Sequence, residues 1–540
     1  MNRIAAVLSM MHERAGQRDS ATRLFRSQPV LWWTLERLSR SQRLSATSLL
    51  CWEDQLPAAE PVAADHDAHI LAKGPRSAVA ELDAVSAARR WSDGWRGGLH
   101  GTCEFDKGFH ASWLLEICDK LEADALVLID PASGLIDSRL VDGLIKHSGA
   151  QPDAEICFSP AAPGTSGVFI RRSLIERLAA ARLHPGKLFS YNPDQPSQDP
   201  ISAAWCAPTP TSIARTTHRF TLDSDRQLSR VSLATISLNG QLMGSDAEII
   251  LNHLDHCTAP DSMPRELTLE INTQRATKPL WSPAKHLNIE RSALSTELAR
   301  RIFDEIANVD DLRLTLAGVG DPILSENFFE ILDAASDAGV ASVHVETDLF
   351  GIQGDPIKRL AESGVDVVSI HVPAATAQVY QQVMGADGLT QVIMNIRSLV
   401  EHRARRGRGT PLIVPTFIKC RENLGEMEIW YDRWLSALGS AVIVGPSDFC
   451  GQIPDFAVAD MSPPRRKACA RLKSRMSVLS DGSVVSCEQD VQGRHLLGNA
   501  RTDSLAEIWQ QKISAMLQDH RQGHWNKHSL CGGCREWHRP

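Results

Sequence analysis

Apolar and polar positions along the chain fall into blocks whose period switches between two and about 3.6, the spacings of strands and helices. Arg3 to Leu8 reads as a buried strand, and Pro29 to Ser39 as a helix opened by proline. Ser48 to Cys51 is a short apolar strand, while the Pro-, Ala- and Asp-rich stretch Leu56 to His69 reads as loop. A helix over Ser112 to Glu122 leads into the strand Ala125 to Ile129, which ends on Asp130. A helix at Asp137 to His147 precedes strands at Glu155 to Ser159 and Gly167 to Ile170. This alternation predicts an open α/β sheet. The Pro-, Ser- and Asp-rich segment His184 to Thr211 closes it as a crossover or linker.

The middle of the chain is more regular. β-rich runs occur at Leu267 to Asn272, Leu312 to Ala317, Ser342 to Glu346, Asp366 to His371, Leu412 to Phe417 and Ala441 to Val444. Amphipathic helical stretches separate them: Ser295 to Ala307, Ser325 to Ala338, Pro356 to Glu362, Leu389 to Arg406 and Asn423 to Leu438. Strands alternating with helices in this way imply parallel pairing through right-handed crossovers. Six such units fall short of the eight that close a barrel, so the pattern predicts an open, partial (β/α)6 TIM-like barrel with ligands at the carboxyl ends of its strands.

The last region starts near Ser462-Pro463-Pro464. Met476 to Leu479 and Val484 to Cys487 form a hairpin on the Asp481-Gly482 turn, and a capped helix runs from Ser504 through Trp509 to Met516. The expected domains are thus 1–215, a linker at 216–265, 266–450 and 451–540.

Charge narrows the function classes. Lys and Arg total 57 against 65 Asp and Glu, a formal charge of −8 over 540 residues. This argues against a nucleic-acid partner, which favours a basic stripe. No apolar run approaches the roughly 20 residues that span a bilayer. The opening Met1-Asn2-Arg3 runs into His12-Glu13-Arg14 without a small-residue cleavage site, and reads as a strand rather than a signal peptide. The expectation is a cytoplasmic protein with no membrane partner.

Of twelve cysteines, Cys51, Cys103, Cys118, Cys157, Cys206 and Cys257 stand singly and read as small buried hydrophobes. Cys469, Cys487, Cys531 and Cys534 are gathered near the C-terminus, the last two around Gly532-Gly533, a pair that lets the backbone fold tightly and aim its amides at sulfur. Four thiolates suit zinc or an iron–sulfur cluster, and spacing alone does not choose. Cys450 is the one spare nearby; His520, His524, His528 and His538 lie close to the final pair, and one of them could replace a thiolate.

Cys469, Arg471-Leu472, Met476, Asp481-Gly482, Cys487, Asp490, Leu497-Gly498-Asn499, Ser504, Glu507-Ile508-Trp509 and Cys531-x-x-Cys534 together resemble a SPASM domain, the auxiliary iron–sulfur module that follows radical SAM barrels. The resemblance implies one [4Fe–4S] cluster on Cys469, Cys487, Cys531 and Cys534, and puts zinc second. The preceding region resembles the radical SAM partial barrel. Gly318-Val-Gly320-Asp321-Pro322 is similar to the strand end that receives the methionyl amine of S-adenosylmethionine; Glu346-Thr347-Asp348, Gly364 to His371, Tyr380, Gly385 and Pro415 to Asn423 continue the match. That family carries Cys-x3-Cys-x2-Cys after its first strand. Here the positions are Ala276, Leu280 and Pro283, with register uncertain by one, and none of these residues ligates iron. The implied protein is a spirochaete-type, degenerate radical SAM/SPASM chain that binds S-adenosylmethionine weakly or not at all and does no radical chemistry.

The first region resembles cytidylyltransferase-like nucleotidyltransferases through Ile4 to Val7, Gln28-Pro29-Val-Leu31 with Leu35-Glu-Arg-Leu38, and Leu126 to Asp130 with Leu135-Ile136-Asp137. In that family the counterpart of Asp130 holds the metal that bridges the triphosphate. The loop after the first strand keeps only Arg14, Gly16 and Arg18 of a phosphate-binding set, and Arg96-Gly97-Gly98-Leu-His100-Gly101 is a further phosphate candidate, though an ordinary turn accounts for it. The leading expectation is an iron–sulfur protein for binding or electron transfer with a redox or protein partner. The alternatives are a CTP-dependent nucleotidyltransferase acting on a sugar with a C-terminal recognition module, and an active radical enzyme with non-standard ligands.

Overall fold

The computed structural model describes residues 3–14, 17–91, 109–189, 203–257 and 261–539. Gly16, Cys103, the loop Arg96 to Gly101 and part of the segment His184 to Thr211 lie outside them. The chain divides into two compact units, Met1–Ala259 and Pro260–Pro540.

The first unit is built on a six-stranded sheet of β1 (Ile4–Ser9), β2 (Ala46–Cys51), β3 (His69–Ala72), β4 (Ala125–Ile129), β5 (Ile156–Phe158) and β6 (Val168–Arg171), in the order β3-β2-β1-β4-β6-β5. β1 to β4 run parallel, and β6 is antiparallel to both β4 and β5. β1 and β4 are buried along their whole length, as strands covered on both faces must be. The stretch Leu56 to His69 is not loop: Leu56–Asp65 is a helix with proline in its first turn. Pro61 costs it one interior hydrogen bond, but Ala59, Val62 and Ala63 form a buried stripe that outweighs this loss. His69–Ala72 is then a strand, and Ala80–Trp91 a further helix. Residues 216–257, expected as linker, fold into this unit as helices Asp225–Ala234 and Ala247–Asp255 with a turn-rich stretch between. Leu222, Val231, Leu242, Ile250 and Leu254 share a core with Phe25, Val30 and Leu135. Arg37, buried, locks them by donating to the carbonyls of Ile136, Leu242 and Ser245.

The second unit has one nine-stranded sheet that runs through both of the regions expected as separate domains. Its parallel part is β7 (Glu266–Leu269), β8 (Arg313–Leu316), β9 (Ser342–Thr347), β10 (Val367–His371), β11 (Leu412–Ile418) and β12 (Val442–Val444), each beside the next in chain order. The helices expected between these strands form with ends within four residues of the expected ones. On the other edge of β7 lies β13 (Arg475–Val478), parallel to it with Glu266 opposite Arg475 and Leu269 opposite Val478. β14 (Ser483–Val485) and β15 (Leu496–Asn499) continue antiparallel. The hairpin turn places Gly482 at φ 92°, where any Cβ would also press on Asn499 Oδ1 at 2.9 Å. The hairpin that leads to Cys487 is therefore a direct extension of the parallel sheet.

Candidate metal centre

Cys469, Cys487, Cys531 and Cys534 converge on one cavity, and Cys450 joins them. Cys469 precedes a short helical turn at Arg471–Lys473 that leads into β13; its amide donates to His520 Nδ1 at 3.4 Å, and the next amide, Ala470 N–H, bonds Trp537 O at 2.8 Å. Cys487 follows β14, and Asp490 N–H donates to its carbonyl at 3.2 Å. Cys531 and Cys534 close a tight turn in which Cys534 N–H donates to Cys531 O at 3.2 Å. Arg466 holds that turn through the carbonyls of Cys531 and Gly532. The Gly532-Gly533 pair needs no left-handed backbone; its tight position is Gly532, where a Cβ would stand 3.1 Å from Asn526 Oδ1. Glu536 N–H donates to Cys534 Sγ at 3.3 Å, the amide-to-sulfur bond that a thiolate needs.

The electrostatics suit a negatively charged centre. Arg466 and Arg471 both line the cavity, and Arg471 is also paired with Glu488 and Glu536. Burial pushes the Cys487 thiol up to about 11 and, with the neighbouring sulfurs, the Cys531 thiol up to about 12; burial likewise raises Cys469. Cys450 donates its S–H to Cys534, which pulls the Cys534 thiol down to about 7 and pushes Cys450 up. Binding a thiophilic metal here must therefore release protons. Of the four histidines near the final pair, His520 and His528 reach the cavity, joined by His495. Among the described residues no three His, Cys, Asp or Glu side chains close on a point in the way a single-ion site does. Thiolates, amide donors to sulfur and two nearby guanidinium groups fit a [4Fe–4S] cluster, which Cys469, Cys487, Cys531 and Cys534 would hold.

The carboxyl ends of β7 to β10 carry a second polar constellation, and it is filled by the chain itself. Gly318, at φ 150°, admits Glu270: a Cβ there would lie 2.7 Å from Glu270 Cγ. Gly320 admits Asn272, whose Oδ1 would stand 2.0 Å from a Cβ. Asp321 accepts from Thr347 Oγ1 at 2.9 Å and from the Asp348 amide at 2.8 Å, and its other oxygen accepts from Ile323 N–H at the turn that Pro322 opens. Arg275 donates to the carbonyls of Val319 (3.3 Å) and Gly320 (3.2 Å) and pairs with Asp348 at 2.6 Å. Thr277 and His371 complete the shell of Asp348, His371 Nδ1 lying 2.9 Å from it. Burial alone would raise Asp348, but the charges of Arg275 and His371 hold it well below the usual carboxylate range. Burial and the Asp348 charge lift Asp321 to about 6. Of the three positions where cysteines were sought, Ala276 is exposed, Leu280 half-buried and bonded to Val383 O through its amide, and Pro283 opens a short helix, Pro283–His286.

Asp130 sits at the end of β4 with 1% of its surface exposed. Arg89 pairs with one carboxylate oxygen, and the other accepts from Ala132 N–H at 2.9 Å. Arg18 pairs with Asp225, while Arg76 donates to the carbonyl of Glu13, whose buried carboxyl is pushed up to about 8. Asp348 and His371 fall within stretches that resemble the later barrel strands, but their meeting with Arg275 was missed because the three lie at or beyond the ends of different strands and come together only in the fold.

Residues 469–535 match the SPASM iron–sulfur cluster-binding domain. An uncharacterised protein of Treponema pallidum (strain Nichols) is 28% identical over 291 residues, 52% of this chain and 79% of that protein. The mycofactocin maturase MftC of Mycobacterium ulcerans (strain Agy99) is 25% identical over 285 residues, 45% of this chain and 72% of that protein. The crystal structure of BtrN in complex with AdoMet and 2-DOIA covers 51% of this chain and 93% of its own at 16% identity, with a TM-score of 0.35. Among the described residues no helix is long and apolar enough to cross a membrane.

Proposed function

We propose that this chain is an iron–sulfur protein in which Cys469, Cys487, Cys531 and Cys534 hold one [4Fe–4S] cluster for binding or electron transfer, on a radical-SAM-like partial barrel that does not cleave S-adenosylmethionine. The observation that carries the reading is the convergence, on one cavity, of four cysteines up to 65 residues apart in sequence, within the segment that matches an iron–sulfur domain. Such a cluster supplies one-electron exchange. The chain supplies four thiolates, an amide donor to Cys534 and the two arginines that balance the charge. Its likeness to a maturase supports a place beside radical SAM relatives, and the departure at Ala276, Leu280 and Pro283 supports the loss of their cleavage step.

The glycine loop supports the same reading. Arg275 already occupies the carbonyls of Val319 and Gly320 with a permanent cation, where a methionyl ammonium would have to bind. Anaerobic purification should give brown protein with about four irons per chain, whereas about eight would indicate a second cluster and revive the radical-enzyme reading. Colourless protein with about one zinc per chain overturns the iron–sulfur assignment. Calorimetry with S-adenosylmethionine should show no binding, and micromolar affinity would overturn the account of the glycine loop.

A further inference from the structure

We propose that Cys450, which lies outside the matched domain, is a fifth thiol of the same centre and an alternative to Cys534 at one iron. The inference rests on the cluster reading above and adds a ligand to it. Five thiols share the cavity, one more than a cubane cluster binds. Cys450 is held on the Cys534 side of the cavity, since Asp448, two residues before it, pairs with Arg535, the residue after Cys534. A second feature shows that the cavity has ligand capacity to spare. His520 lines it, is 2% exposed, and its Nε2 has no partner, since only Nδ1 is used, by Cys469 N–H.

The placement of Cys450 is built. Phe449, Cys450 and Gly451 follow one another at φ 50°, 59° and 78°, a left-handed run that side chains avoid unless the surroundings enforce it. Here they do. Asp448 pairs at 2.6 Å with Arg535, the residue after Cys534, and Gln452 donates at 2.7 Å to the carbonyl of Gln489, two residues after Cys487. Ser447 also bonds the Gln489 side chain. The loop is thereby pinned to the two segments that carry its neighbours in the cavity. In the exchange, the iron–sulfur bond to Cys534 breaks as the bond to Cys450 forms. The proton passes from Cys450 sulfur to Cys534 sulfur, and no electron changes hands.

The test uses the full-length chain, reconstituted anaerobically and read by visible absorption and iron content, with circular dichroism as a check on folding. Cys450→Ala and Cys534→Ala should each keep the colour and about four irons, with a shifted spectrum for Cys534→Ala, while the double variant should lose both. If Cys534→Ala does not fold, Cys534→Val, which refills the space and brings no ligating atom, is read in its place. A folded Cys534 variant as colourless as the double overturns the role of Cys450 while leaving the cluster standing. A colourless wild type overturns both proposals.

Discussion

Arg291 grips Glu270 with two guanidinium nitrogens at 2.8 Å each, and the same carboxylate accepts from the amides of Val319 at 3.1 Å and Ser480 at 3.2 Å. One buried carboxylate therefore ties the glycine loop after β8 to the hairpin turn that leads to Cys487. Glu270→Ala strands a buried guanidinium, and the expected cost is about 3–5 kcal/mol. The double variant Glu270→Ala/Arg291→Met should lose much less than the sum of the two single changes, because no charge is left alone. Denaturation of the four proteins checks this, and simple additivity would count against the tie.

The Arg275–Asp348 pair predicts a pH signature. Asp348 has its folded value depressed, so its stabilising effect is present above its ordinary 3.8 and fades only as pH falls through the lower folded value. In Arg275→Met the main countercharge is gone, and burial then raises Asp348 instead. The variant should be strongly destabilised at neutral pH and recover relative to wild type as pH approaches 4, where Asp348 takes up a proton. Melting temperatures of both proteins from pH 4 to pH 8 test this; a gap that stays constant with pH sinks it.

Removing the metal should loosen the C-terminal segment more than the rest. Beyond the helical stretch that ends at Arg521, the only regular element among the described residues is the short turn Trp525–Lys527, so the bonds of the cluster to Cys531 and Cys534 do much of the tying there. Stripping the iron with a chelator and an oxidant should open 520–539 to protease while leaving the rate of cleavage within the first unit, Met1–Ala259, unchanged. Cys487→Ala and Cys531→Ala should reproduce the loss of colour. Cys420→Ala should not, since Cys420 is buried at the end of β11, where its amide bonds Asn423 Oδ1. Equal protease resistance of apo- and metal-loaded protein would refute the tying role.

Asp130 predicts a structural phenotype. Asp130→Asn keeps the acceptor for Ala132 N–H but removes the charge that faces Arg89, and should cost about 1.5–3 kcal/mol, the range for a hydrogen bond to a charged group. No pyrophosphate should be released from CTP and a sugar acid by either protein, because the carboxylate is already committed to a guanidinium. Release by the wild type that Asp130→Asn abolishes would reinstate the nucleotidyltransferase reading.

The parallel strands of the second unit could be read from the chain because each is a compact apolar run between helical stretches, with residues such as Leu314, Val368 and Ile413 fully buried. The helix Leu56–Asp65 could not, because Pro57 and Pro61 signal a break while the packing of Ala59 and Val62 that compensates is tertiary. The cysteine set was visible because thiols so placed are chemically conspicuous. The place of Cys450 was not, since it depends on Asp448 meeting Arg535 far along the chain. The filling of the glycine loop was not legible either, because it too is tertiary. Gly318 and Gly320 look like room for a ligand, yet the space they leave is taken by Glu270 and Asn272.

The pairing of β13 with β7 has a consequence for the protein's handling. A parallel strand left with one side unpaired offers its amides and carbonyls to any other chain, the usual route to edge-to-edge aggregation. β13 and the hairpin behind it cap β7 on that side, and the sheet then ends on the four-residue β15, whose pairing with β14 is interrupted by a bulge. If the segment that carries the cysteines peels away, it bares the open flank of β7, at the edge of the parallel strands β7 to β12. Loss of iron in an aerated preparation should therefore announce itself as turbidity before any loss of helical signal.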